Sequence, residues 1–115
     1  MDRIHARATC ALLPNGTREE IEVLAKVFPY VVEWSSPAGS EDYDWGYILH
    51  SDHWDANLDA YTESKDAGGG SVRATKAIER EDGTWSLMPD GDNIHNYIDG
   101  REVAKDESWY LWWAG

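Results

Sequence analysis

The chain has 115 residues, with 22 Asp and Glu against 10 Lys and Arg, for a net charge of −12. Its 42% hydrophobic content is too apolar for a disordered chain, and its length suits one domain rather than two. The acidity argues against direct binding to nucleic acid or anionic membranes, which calls for a cationic footprint. No apolar run reaches the ~20 residues that cross a bilayer. The single cysteine, Cys10, excludes an internal disulfide or a cysteine-built zinc cluster. Met1–His5 carries no apolar stretch, so a cytoplasmic location is expected.

From the N-terminus, residues 3–13 alternate, with Ile4, Ala6, Ala8, Cys10 and Leu12 on one side, which predicts a half-buried strand. Pro14-Asn15-Gly16 ends it. Thr17 and Glu20 then have capping-box spacing, in which each side chain satisfies the other's free backbone N–H. Ile21, Leu24, Ala25 and Phe28 follow as one apolar stripe, and Pro29 closes the helix near Val27 or Phe28.

Tyr30–Ser35 reads as a short strand, residues 36–40 as a loop, and Tyr43–Leu49 as its hairpin partner. Gly46 inside that second strand suggests a bulge or a close backbone approach. A second helix is expected from Ser51 as cap, with Asp52 and Asp55 in its first turn and Trp54, Leu58 and Tyr61 as its apolar stripe. Gly68-Gly69-Gly70 is expected to be a flexible loop over residues 67–71. It lacks the lysine and hydroxyl of a phosphate-binding loop. Beyond it, Val72–Glu81 reads as a strand. Glu81–Thr84 reads as a hairpin turn into Trp85–Met88, and Pro89-Asp90-Gly91-Asp92 as a further turn. Asp99-Gly100 marks a hairpin between Ile94–Ile98 and Arg101–Val103, and Ser108–Trp113 reads as a final aromatic strand.

These elements predict an α+β fold: one compact domain over residues 1–115, an antiparallel sheet, and one or two helices on one face burying both stripes. The order β-α-β-β-α-β also fits a ferredoxin-like arrangement followed by a C-terminal β-meander.

Residues 33–66 concentrate the acidity, holding nine acids and the single base Lys65. Rings lie among them. Carboxylates interleaved with aromatics suit a partner surface rich in Arg, through ion pairing and stacking. The expected partner-binding residues are Glu41, Asp42, Tyr43, Asp44, Trp45, Asp52, Trp54, Asp55 and Asp59, together with Trp112 of the terminal strand. That strand carries rings on both faces, so it could equally pair two copies of the chain. Solubility and salt adaptation are the plain alternatives for the charge.

His50-Ser51-Asp52-His53-Trp54-Asp55 is the one local cluster with metal-ligand chemistry, and His50 and His53 are weak metal candidates. Asp55 to Asp66 superficially follows calcium-loop spacing but lacks the required glycine, Ala60 standing there. No serine or cysteine sits in a recognisable nucleophile context, Cys10 lying on an apolar strand face. No cofactor is expected.

In size, charge and aromatic content, though in no specific motif, the chain resembles small acidic proteins of phages and mobile elements. The resemblance implies an inhibitor of the anti-CRISPR or anti-restriction kind, a DNA mimic among the possibilities, occupying the basic surface of a nucleic-acid-processing protein. An immunity protein against a toxin nuclease uses the same physics. A small His/Asp metal-dependent enzyme is the alternative of a different class.

Overall fold

The computed structural model describes residues 3–7, 13–37, 41 and 44–104. Among these residues seven strands form one antiparallel sheet: β1 (Arg3–Arg7), β2 (Asn15–Gly16), β3 (Tyr30–Ser35), β4 (Trp45–His50), β5 (Gly69–Glu79), β6 (Trp85–Ile98) and β7 (Arg101–Glu102). Helix α1 is Arg18–Val27 and helix α2 is His53–Ala67. The strand order is β1-β4-β3-β5-β6-β2, with β7 added to β6. The α+β class read from the sequence is the class observed.

Helix α2 links β4 to β5 across the intervening β3, giving the split crossover expected of the β-α-β-β-α-β order. The ferredoxin-like order itself is not formed. It would place the first strand centrally, but β3 pairs directly with β5, and β1 lies beyond β4, at the end of the strand order among the described residues.

The helices also differ from expectation in lying on opposite faces of the sheet. Ile21 of α1 packs with Phe28, Val31, Leu49 and Leu87. Ala56 and Ala60 of α2 pack with Val32, Trp34, Ile48, Val72 and Tyr97. Neighbouring residues Val31 and Val32, or Ile48 and Leu49, thus belong to different cores, because successive strand side chains point to opposite faces. Both members of each pair are almost wholly inaccessible. A sheet covered on both sides needs near-continuous apolar strands, and β3 and β4 supply them.

Helix α1 forms as its residues dictate. Thr17 Oγ1 accepts from the Glu20 N–H at 3.2 Å and Glu20 Oε1 accepts from the Thr17 N–H at 2.9 Å. Pro29 follows the C-cap, Phe28. In α2 the cap is Asp52, one residue beyond the expected Ser51, with its carboxylate accepting from the Asp55 N–H at 3.1 Å.

Two other readings change. The triple glycine is not a loop: Gly68, at φ 128°, caps α2, while Gly69 and Gly70 open β5 and are buried. A Cβ on Gly70 would collide with the backbone carbonyl of Ala60, so glycine here lets the helix backbone lie directly on the strand. Pro89–Asp92 is not a terminating turn either. Val72 pairs with His95 and Ala74 with Asp90, so Arg73 alone stands opposite residues 91–94 in a bulge within β6. Gly91 takes φ 73° there, and Arg73 Nε donates to its carbonyl at 3.1 Å. By contrast Gly46 pairs with Trp34 in unbroken register. The hairpin turns at residues 81–84 and 99–100 form as read. Asp99 and Gly100 both have positive φ, the geometry of a two-residue turn that follows strand twist. The expected strand Ser108–Trp113, and Cys10, lie outside the described residues.

Candidate functional site

The outward face of α2 is where the expected and the observed structure differ most. Its apolar stripe was expected to pack on the sheet. Instead the residues facing the sheet are Ala56, Asp59, Ala60 and Ser64, while Trp54 is 75% and Leu58 64% exposed. Tyr61 is exposed on the same stripe. The reason is steric. Gly70 draws the helix backbone so close to β5 that only small residues fit between them.

Against this stripe lies Tyr97 of β6. Its hydroxyl donates to Asn57 Oδ1, and its ring meets Tyr61 edge-on at 6.0 Å. Burial, seconded by the nearby Glu102 charge, pushes the Tyr97 hydroxyl above its usual pKa, against the smaller pull of the Asn57 hydrogen bond. Trp54, Asp55, Asn57, Leu58, Tyr61 and Tyr97 together line an open groove of about 380 Å³. The Lys65 ammonium sits 5.3 Å from the centre of the Tyr61 ring, so this face already accepts a cation over an aromatic.

At the N-terminal end of α2 the histidines separate into two arrangements. His50, at the end of β4, is buried with its Nε2 2.7 Å from Asp59 Oδ2. Asp59 is therefore an internal residue, which corrects its expected place on the partner-facing surface. It reaches inward because the helix sits too close for a longer side chain and because the buried imidazole needs a polar partner. His53 is exposed. Its Nε2 lies 3.1 Å from Nε2 of His95, whose Nδ1 lies 3.0 Å from Glu102 Oε2. His50 and His53, paired as metal candidates in the sequence, thus have different partners. Among the described residues no group of three or more His, Cys, Asp or Glu converges as a metal site.

The remaining expected residues divide between faces. Asp52 and Asp55 are exposed at the start of α2, beside Trp54. Glu41 is exposed, and Asp44 is half-buried with its carboxylate accepting from the Trp45 N–H at 3.0 Å. Trp45 lies on the α1 side of the sheet, edge-on to Tyr47 at 5.6 Å. On that side burial pushes the Glu33 carboxyl above the ordinary value, opposed by Arg73 and a hydrogen bond from Tyr47. Asp42, Tyr43 and Trp112 lie outside the described residues. The described acids of residues 33–66 are thus divided between two faces and the interior.

His95, Tyr97, Glu102 and Asn57 were missed as site residues. Their partners are distant in sequence, so no local pattern marks them. Comparison with family models, curated proteins and solved structures finds no match. No helix among the described residues is long and apolar enough to cross a membrane.

Proposed function

We propose that the protein is a non-enzymatic binding protein whose α2 face docks on the basic, nucleic-acid-binding surface of a protein partner and inhibits it. A phage or mobile-element anti-defence protein, of the anti-CRISPR or anti-restriction kind, fits this description. One observation carries the reading: Trp54 and Leu58 are exposed at 75% and 64% beside the open carboxylates Asp52 and Asp55. Tryptophan is the side chain most enriched in binding hot spots, and Arg both stacks on its face and pairs with neighbouring carboxylates. The net charge of −12 steers a cationic surface toward the molecule and repels a second copy or a nucleic acid.

Anchoring by rings is favoured over mimicry of a phosphate ladder. Asp59 is internal and Glu33 lies on the α1 side of the sheet, so neither joins Asp52 and Asp55 on the open α2 face. A toxin nuclease neutralised by an immunity protein is the same class of partner.

The test is capture from a host lysate by wild type, by Trp54→Ala and by Asp52→Lys/Asp55→Lys in parallel. The expected partner is a nucleic-acid-binding protein that wild type retains, both variants lose, and its own DNA or RNA displaces. Raising NaCl from about 50 to 500 mM should weaken retention, since it screens the steering field. Equal retention by all three proteins overturns the docking face. A retained partner that nucleic acid does not displace overturns the inhibitory role.

A further inference from the structure

We propose that His53 and His95 form a two-imidazole clip for a borderline divalent transition metal, with Cu²⁺ the strongest binder and Ni²⁺ and Zn²⁺ behind it. The two nitrogens come from elements far apart in sequence, the first turn of α2 and the C-terminal part of β6, yet stand 3.1 Å apart. Adjacent imidazole ligands at about 2.0–2.1 Å from one ion hold their nitrogens roughly 3.0–3.4 Å apart. The pair is therefore already spaced for a shared ion.

The surroundings fix the rings as a metal site would. Glu102 takes the Nδ1–H of His95 at 3.0 Å, which leaves the Nε2 lone pair of that ring aimed at His53. A carboxylate on the far nitrogen is the usual outer partner of a ligating histidine, orienting the ring and raising its basicity. Tyr30 meets the His53 ring edge-on at 5.5 Å, and Tyr97 stacks beside His95 at 6.4 Å. Both imidazoles are open to solvent, the His95 side chain at 22% exposure and His53 exposed.

Without an ion, the pair is satisfied by one proton on His53 Nε2, donated to His95. Binding moves that proton to His53 Nδ1 and frees both Nε2 lone pairs for the metal. Neutral nitrogen donors select copper, nickel and zinc over magnesium or calcium, which prefer oxygen. The clip supplies two donors and leaves the rest of the coordination sphere to water. The negative field of the protein raises the local concentration of cations. His50 takes no part, because Asp59 holds its Nε2 in the interior.

The proposal is tested on tag-free full-length protein titrated with Cu²⁺ alone, followed by calorimetry and by electron paramagnetic resonance. One Cu²⁺ per chain is expected, with splitting from two imidazole nitrogens. His53→Ala and His95→Ala should each remove that two-nitrogen signature, and Glu102→Gln should keep it while weakening affinity about tenfold. His5→Ala should leave signature and affinity unchanged. Unaltered far-UV circular dichroism in each variant keeps folding apart from binding. Absence of the two-nitrogen signature in wild type, or its survival in the His53→Ala/His95→Ala double variant, overturns the clip. Neither result bears on docking through Trp54.

Discussion

Helix α1 turns Ile21, Leu24 and Ala25 onto the sheet, whereas α2 turns Ala56, Asp59, Ala60 and Ser64 onto it and leaves Trp54, Leu58 and Tyr61 outside. Both helices are capped at their N-termini, and both have a stripe of large apolar residues at helical spacing. Only α1 uses that stripe for folding. Full burial of a side chain such as Leu contributes about 1.5–3 kcal/mol, so α2 leaves a substantial share of its possible stabilisation in water. The helix is held instead by close backbone approach at Gly70 and by the His50–Asp59 pair. This difference between the helices is what supports the proposed docking role of the α2 face.

The largest expected effects come from attacking what holds each helix down. Ile21→Ala should destabilise by about 3 kcal/mol in chemical denaturation, the cost of deleting three buried carbons and leaving their cavity in a tight core. Asp59→Ala should cost about 2 kcal/mol, because it leaves the buried His50 imidazole without its partner. A cost for Asp59→Ala near zero would mean that small-residue packing alone retains α2, and the contrast between the helices would narrow.

How much of this was legible in the sequence follows from what kind of signal each residue gives. Thr17, Glu20 and Pro29 act on backbone groups a few residues away, so α1 and its ends could be read directly. Periodicity likewise identified α2, because Trp54, Leu58 and Tyr61 recur at helical spacing. It could not say which side of the helix meets the sheet. That side is decided by Gly70 against Ala60, a contact between a strand and a helix whose steric demand exists only in three dimensions. The same holds for Pro89–Asp92, whose turn composition is absorbed into a bulge once β6 pairs along most of β5. For the candidate site, Trp54, Asp52 and Asp55 were named from the sequence and lie exposed together at the start of α2, whereas His95 was not named, since its contact with His53 exists only across the fold.

A smaller effect separates the two faces by pH. Burial raises the folded-state pKa of Glu33, so the folded protein holds that proton more tightly than the unfolded chain. The resulting stabilisation is present below the unfolded value of 4.5 and is lost as pH rises through the higher folded value. Glu33 therefore costs stability at neutral pH. Glu33→Gln should keep a hydrogen-bond partner for Tyr47 and remove the loss. The variant should be more stable than wild type at pH 7, with the difference shrinking toward pH 4.5. Thermal midpoints at several pH values check it. A variant that is less stable at pH 7 would show that the Arg73 charge outweighs desolvation. Glu20 has the opposite sign. Its capping hydrogen bonds to Thr17 lower its pKa, so its contribution is present above the unfolded value and fades as pH falls through the folded one.

The smallest effect is the most informative about α2. Trp54→Ala and Leu58→Ala should each change folding stability by less than about 0.5 kcal/mol, although the same kind of truncation at Ile21 costs several times more. Such insensitivity is what a face turned to water requires, and it makes these variants clean probes, since any loss of partner binding then has no folding explanation. A cost above about 1 kcal/mol would mean that something covers the stripe in the free protein. A second copy is one such cover, and sedimentation at two concentrations would reveal it. Because mass action makes a dimer's stability depend on concentration, the apparent cost of Leu58→Ala would then grow with protein concentration, whereas for a monomer it stays constant.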